Sequence, residues 1–307
     1  MTTPTDTPQT GPVTDLREGS AATSTTVDAA VAAADAAARA SGVQVRELTS
    51  QSELDGVYRL YNDIWRPDPT NPPVTAELLR ALSKAGNYIG GAFIGDALVG
   101  ACVGFFGAPA GAVLHSHIAG VSGAARGHNV GFALKVHQRA WSLLRGVAAI
   151  EWTFDPLVRR NAYFNIVKLA ALPDEYLDNF YGDMHDAING DDDSDRILVR
   201  WQLDSPAVIA ACVGSSRIVD VQTERARGAE VALSAGGDGR PEIGRTDAET
   251  LLVAVPPDIE SMRANDPAAA KHWRVAVRES LGTLLVSGAR VTGFDRTGWY
   301  IVQRGLS

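Results

Sequence analysis

The chain has 307 residues, 45% of them hydrophobic and 21% charged, with a formal net charge of −8. That length leaves room for one large domain or two small ones, and the acidic balance argues against non-specific attraction to nucleic acid or anionic membranes. Cys102 and Cys212 both sit in apolar runs and read as buried free thiols, no run has metal-ligand spacing, and no apolar run is long enough to span a membrane. Met1 is not followed by a basic and then an apolar segment, so the expected compartment is the cytoplasm.

Residues 1–42 are rich in Thr, Pro, Ala and Ser and are expected as a disordered tail, although 27–40 carries enough alanine to form a helix on propensity alone. Residues 43–48 alternate as a strand. A helix is predicted from Ser52 to Trp65, with Leu54, Val57, Leu60 or Tyr61, and Ile64 on one face. Prolines at 67, 69, 72 and 73 interrupt before a second helix from Thr75 to Lys84. Tyr88–Ile94 and Ala97–Phe106 read as strands joined by the hairpin pair Gly95-Asp96, and Ala112–Val121 as the next strand.

The helix that opens at Val130 has Val130, Leu134, His137, Trp141 and Leu144 on one face. Lys135, Gln138, Arg139, Ser142 and Arg145 occupy the other, and Gly146 fits the C-terminal cap. Then come a strand over 148–154, Asp155-Pro156 and a helix from about Val158. Asp191–Asp193 with Asp195 reads as a solvated acidic turn, because no calcium-loop spacing flanks it. Ile197–Leu203 is a further strand. Residues 205–249 are expected as a connector with room for a short strand or two. The last stretch predicts a strand over 251–255, a helix from Asp266 to about Gly288 with Trp273, Val277, Leu281 and Leu284 inward, and strands over 291–294 and 299–302.

The stretch from His115 to Gly131 reads HSHIAGVSGAARGHNVG. A strand that runs through a glycine turn into a helix N-terminus gathers free backbone N–H groups at the positive end of a helix dipole, which suits an anion. Arg126 stands at the mouth, where a guanidinium can clamp a phosphate. His115 and His117 lie two apart and share a strand face.

This stretch resembles the coenzyme A pyrophosphate motif of the GNAT superfamily of N-acetyltransferases, R/Q-x-x-G-x-G/A, here Arg126-Gly127-His128-Asn129-Val130-Gly131. Asn129 replaces the middle glycine. The histidine pair is similar to that of the arylalkylamine branch, in which strand histidines deprotonate the amine. The element order over 43–204 is that of the same fold. WTFDPLVRRNAYFNIVKLAALPDEYL looks like the segment that contacts pantetheine, with Asn161 and Asn165 as contacts and Lys168-Leu169-Ala170 in place of a lysine-leucine-glycine turn. Ile166 stands where many members carry the tyrosine that protonates the leaving thiolate, so Tyr176 or Tyr181 would have to supply that acid. With EYLDNFYG, the pattern resembles a bacterial subgroup of predicted acetyltransferases with a C-terminal extension.

The resemblance implies an α/β fold with a mixed central sheet flanked by helices and a small C-terminal α/β extension. Its expected divisions are the tail (1–42), the acetyltransferase domain (43–204), the connector (205–249) and an extension over 250–307 packed on the core. It implies transfer of an acyl group from acetyl-CoA or another acyl-CoA to a small amine or an amino acid, without a metal, and leaves a homodimer open. The expected catalytic residues are His117 as base, His115 beside it, Glu151 as a competing base, and Tyr181 or Tyr176 as acid. The coenzyme contacts are Val121, Arg126, Gly127, His128, Asn129, Val130, Gly131, Asn161 and Asn165. Two alternatives stand beside this reading: a catalytically silent acyl-CoA-binding module, favoured by Asn129 and Ile166, and an amino-acid N-succinyltransferase.

Overall fold

The computed structural model describes residues 24–67, 72–108, 113–182 and 192–305. Among these, seven strands form one sheet: β1 Gln44–Glu47, β2 Tyr88–Ile94, β3 Ala97–Phe106, β4 Val113–Val121, β5 Ala149–Phe154, β6 Leu172–Leu177 and β7 Arg196–Gln202. Their order is β1-β2-β3-β4-β5-β7-β6. The β4–β5 pair is parallel, and the other neighbours are antiparallel. Gly95 closes the β2–β3 hairpin with φ +56°, a left-handed value that glycine reaches without Cβ strain. Ala112, the expected start of β4, lies outside the described residues.

Helices cover both faces of this sheet. On one lie α2 Gln51–Trp65 and α3 Ala76–Lys84, whose Leu54, Val57, Tyr61 and Leu79 pack on Ile89, Ala101 and Val103. α2 starts at Ser50 rather than at the expected Ser52, because Ser50 and Glu53 form a reciprocal capping box. On the other face lies α4 Val130–Leu143, and over it α1 Ser24–Ala40.

Helix α1 corrects the expected tail in part. Ala30, Ala33, Ala34 and Ala37 form a buried stripe, and α1 lies close along α4. Small side chains let two helices approach closely, so burial adds to the alanine propensity of residues 27–40. Residues 1–23 of that tail lie outside the described residues. Deleting residues 1–42 is expected to lower the thermal unfolding midpoint, and an unchanged midpoint would mean that α1 contributes no packing energy.

α5 Arg159–Ala162 follows β5, and the expected connector also folds. It contains α6 Pro206–Cys212, α7 Val221–Ala226, β8 Glu230–Ala235 and β9 Pro241–Ile243. With β10 Thr250–Ala254, β11 Arg290–Asp295 and β12 Trp299–Gln303 they build a second sheet of order β11-β12-β10-β8-β9. α8 Ile259–Asn265 precedes α9 Pro267–Val277. The expected long helix then continues through a widened turn to α10 Thr283–Val286. Trp273, Val277 and Leu281 are fully buried in the cluster that also holds Phe154, Ile197 and Val199 of the first sheet. The two sheets thus share one hydrophobic core.

Charge ties them as well. Asp155, at the end of β5, receives a bidentate pair from Arg274 at 2.9 and 3.0 Å and a third contact from Arg263 at 2.6 Å. Asp192 binds the same two guanidiniums at 3.0 Å each. Arg278 pairs with Asp193 at 2.7 Å and with Asp195. Asp192 and Asp195 are therefore buried ion-pair partners and not parts of a solvated turn, because arginines far along the chain return to meet them; Asp191 lies outside the described residues. Tyr300 also donates its hydroxyl to the Pro156 carbonyl at 2.8 Å.

Both cysteines are free and buried. Among the described residues no helix is long and apolar enough to cross a membrane, and no group of three His, Cys, Asp or Glu is placed to hold a metal ion.

Candidate active site

The parallel ladder between β4 and β5 is short. It pairs Val113, Leu114 and His115 with Ala149, Ile150 and Glu151, and then the strands part. Beyond that point β4 stays on β3 as far as Val121, and β5 stays on β7 as far as Phe154. The result is a V whose closed end is the His115–Glu151 pair and whose open end faces the loop before α4. Its inner edges are backbone with no strand between them.

The V is hollow. A cavity of about 250 Å³ is lined by Ser116, His117, Gly131, Lys135, Trp152 and Asn165 among others. It shares Ala119, Gly120, Val121, Thr153, Phe154 and Asn161 with a second cavity of about 580 Å³. The second is walled by Trp65 of α2, Arg126 of the loop, Arg160 and Arg196, and by Glu260 and Arg263 of α8. A third, of about 360 Å³, lies at the first turn of α4, between Asn129, Phe132, Tyr163, Lys168, Ser41 and Ile218.

The loop has the geometry that its glycines suggested. Gly127 and Asn129 both take left-handed backbone, at φ +86° and +57°. Asn is among the few non-glycine residues that do so readily, so the replaced glycine leaves the turn intact. Asn129 makes no side-chain cap on α4, which leaves the first N–H groups of the helix without a side-chain acceptor. At Gly131 an added Cβ would meet only the Val121 side chain, at 3.8 Å. Arg126 is exposed beside this turn.

Strand β4 carries a bulge in the middle of its pairing with β3. Val103 faces Ile118 and Gly104 faces Ser116, so His117 is the extra residue. The two imidazoles still share a face, 6.2 Å apart between ring centres, and both lean on Phe105. His117 lies at the exposed rim of the first cavity. Loss of solvent lowers its pKa below the usual imidazole value of 6.5, opposed by a hydrogen bond with the Pro73 backbone. His115 is lowered too, by burial first, then by His117 and Lys135. Both shifts favour the neutral form, the one that accepts a proton.

The remaining expected residues divide. Val121, Arg126, Asn161 and Gly131 line the two joined cavities, and Asn129 lines the third. Asn165 lines the first cavity while its amide oxygen accepts from the Trp152 indole at 3.2 Å. Gly127 and His128 are exposed on the turn, and Val130 is buried beneath it. Glu151 is ion-paired with Arg200 and stands at the closed end, outside the lining of the three cavities. Tyr176 is drawn away, its hydroxyl donating to Asp195 at 2.8 Å. Tyr181 remains close: its hydroxyl is 3.1 Å from Thr153 Oγ1, and Thr153 lines both joined cavities. Ala170 holds φ +53° at the turn where glycine was expected, so that turn keeps its shape with a strained residue.

One site residue escaped the sequence reading. Lys135, read as lying on the polar face opposite Val130 and Leu134, is only 4% exposed. Its ammonium donates to Ser116 Oγ at 2.9 Å and to Gln138 Oε1 at 2.8 Å, and lies 3.6 Å above the Trp152 ring. Burial pushes its pKa down to about 8. The supposed polar face of α4 looks at β4 and β5, and α1 covers another side, so little of the helix reaches water. The run of buried-type positions on both sides of Val136 was the available signal.

Neither a family model nor a curated protein matches the chain. Solved structures do resemble it. The Salmonella typhimurium protein yncA, solved with its cofactor acetyl-CoA, is 13% identical, with 54% of this chain and 96% of that one covered and a TM-score of 0.43. An N-acetyltransferase from Staphylococcus aureus is 14% identical over 52% and 98% of the two chains, with a TM-score of 0.42. The ribosomal-protein-S18-alanine N-acetyltransferase from Escherichia coli is 12% identical over 52% and 94%, with a TM-score of 0.41. The fold is read from the strand order and not from these likenesses. Four antiparallel strands, a glycine turn into a sheet-covering helix, and a fifth strand splayed in parallel from the fourth are the element order that the sequence led one to expect for a GNAT-type fold.

Proposed function

We propose that the chain is an acyl-CoA-dependent N-acyltransferase that acylates a small amine or an amino acid by direct transfer. The observation that carries this reading is a continuous hollow. It runs from the uncapped first turn of α4, through the V, past His117, into a second cavity walled by residues of the first sheet, its helices and loops, and α8.

Arg126 and the first N–H groups of α4 hold the pyrophosphate. The parted edges of β4 and β5 receive the pantetheine arm in the manner of an added strand, with Asn161 and Asn165 alongside. The third cavity, with Phe132, Tyr163 and Lys168, offers a place for the nucleotide end. His117 takes the proton from the incoming ammonium, and the freed amine attacks the thioester carbonyl. Backbone N–H groups of β4 face the oxygen as it becomes negative. The carbon–sulfur bond then breaks, the Tyr181 hydroxyl beside Thr153 gives its proton to sulfur, and the second proton of the acylated nitrogen restores that hydroxyl.

Release of CoA thiol from acetyl-CoA, dependent on one member of an amine and amino-acid panel, tests the reading. Binding without release under any amine would favour the silent module. Arg126→Ala is expected to weaken CoA binding about tenfold to a hundredfold, the effect of losing a hydrogen bond to a charged group. Gly131→Val should fold normally, since the cradle has room for its Cβ, and should weaken CoA by more. Unchanged affinity by calorimetry in both variants would remove the cradle assignment. The lowered pKa of His117 predicts a kcat/KM that rises with pH through a midpoint below 6.5 and is flat at neutrality. A midpoint near that of a free amine would mean that the enzyme selects amine already deprotonated.

A further inference from the structure

Lys135 is a buried cation whose nearest partners are all neutral. Ser116 and Gln138 accept from its ammonium, and the Trp152 ring lies against it. Among the described residues no carboxylate pairs with it, and the acidic group that acts on it is the Cys102 thiol. Burial raises the pKa of that thiol, which keeps it uncharged. Taking an ammonium out of water without a counter-ion is costly, and buried charges in proteins are ordinarily paired or bound to a ligand.

Its place in the hollow says which part of a ligand would meet it. Ser116 and Trp152 are the first residues past the last β4–β5 pair, so the ammonium sits at the closed end of the V. The pyrophosphate loop is at the open end. On the proposed reading, a thioester enters arm first from the loop, its carbonyl rests near His117, and the far end of the acyl group points deepest. A plain acetyl methyl there would face a charge that it cannot satisfy.

We infer that Lys135 receives a carboxylate at the far end of the acyl group, so that the preferred donor is the CoA thioester of a short dicarboxylic acid. This rests on the acyl-CoA reading above and narrows it. The carboxylate need displace neither polar contact of Lys135, since Ser116 and Gln138 take two of the three N–H bonds of the ammonium. Trp152 and Leu134 would flank the methylene carbons. Transfer proceeds as before: the amine nitrogen bonds to the carbonyl carbon, CoA leaves with a proton, and the carboxylate is carried unchanged into the product.

The test is a set of dissociation constants for the full chain with CoA, propionyl-CoA, malonyl-CoA, butyryl-CoA and succinyl-CoA. Each carboxylated thioester is compared with the neutral one of equal carbon number. One of the two carboxylated donors should bind the wild type tenfold or more tightly than its neutral counterpart, the size of a charge-assisted contact. Lys135→Met, which keeps length and apolar bulk, should erase that preference. Equal binding of both pairs by the wild type overturns the inference, and so does a preference that survives in Lys135→Met. Should that variant fail to fold, the wild-type comparison and Lys135→Gln decide on the same criteria. If CoA itself fails to bind, the acyl-CoA reading falls and takes this inference with it; if CoA binds without preference, only the inference falls.

Discussion

His117→Ala should lower kcat/KM roughly 10²- to 10⁴-fold, the range for losing a general base, while the dissociation constant for CoA stays within a factor of a few. The separation follows from position. His117 is the bulged residue at the exposed rim of the first cavity, whereas the loop that would grip the pyrophosphate lies at the open end of the V. The acidic limb of the pH profile should vanish with the imidazole. His115→Ala should do less, because its ring sits one pair deeper, against Phe105 and at the last ladder position. Full activity with an unchanged profile in His117→Ala would pass the role to a water or to Glu151, which would first have to leave Arg200. Loss of CoA affinity together with activity would make His117 a packing residue.

The second large effect concerns stability. Asp155→Ala should destabilise the fold by about 3–5 kcal/mol, the typical result of removing one partner of a buried ion pair. Arg274 is 1% exposed, and it and Arg263 would be left facing each other with Asp192 as their remaining carboxylate. Burial works against the Asp155 charge, yet Arg274 and then Arg263 outweigh it and hold the carboxyl well below the usual carboxylate range. The sign for pH follows. A folded pKa below the unfolded value of about 3.9 means that the stabilisation is complete above that pH and is lost as pH falls toward the folded value. Denaturant midpoints of the wild type should therefore drop on acidification below about pH 4, and those of Asp155→Ala should drop less steeply. Equal midpoints at pH 7 would show that the network is neutral against its desolvation cost.

What could be read from the sequence follows from where periodicity is strong. The β2–β3 hairpin announces itself through Gly95-Asp96 between apolar runs, and the loop through Arg126, Gly127 and Gly131. The strand β6 was hidden because it is an edge strand containing Pro173, with a register shift beside that proline; an edge tolerates proline and needs no alternating pattern. β8 is a short run in glycine-rich surroundings, and its stabilising neighbour β10 comes later in the chain. Long-range charge was equally silent. Nothing near Asp192 or Asp195 indicates that Arg274 and Arg278 will meet them, since those partners lie more than eighty residues on. Lys135 was misassigned for a related reason. Helical periodicity says which residues share a face, but only the fold says what that face looks at.

One consequence of the shared wall of the second cavity concerns how such an enzyme could change its diet. On the proposed reading the pyrophosphate and pantetheine arm are held by residues within 116–168, whereas Glu260 and Arg263 reach the amine side from a helix nearly a hundred residues later. Those two residues are also rivets between the halves: Arg263 on Asp155 and Asp192, Glu260 on Arg160. In the proposed reaction, acceptor preference could therefore drift through substitutions in α8 while donor handling stays fixed. Each such step would have to keep the rivet sound, so substrate range and resistance to unfolding are inherited through the same few side chains.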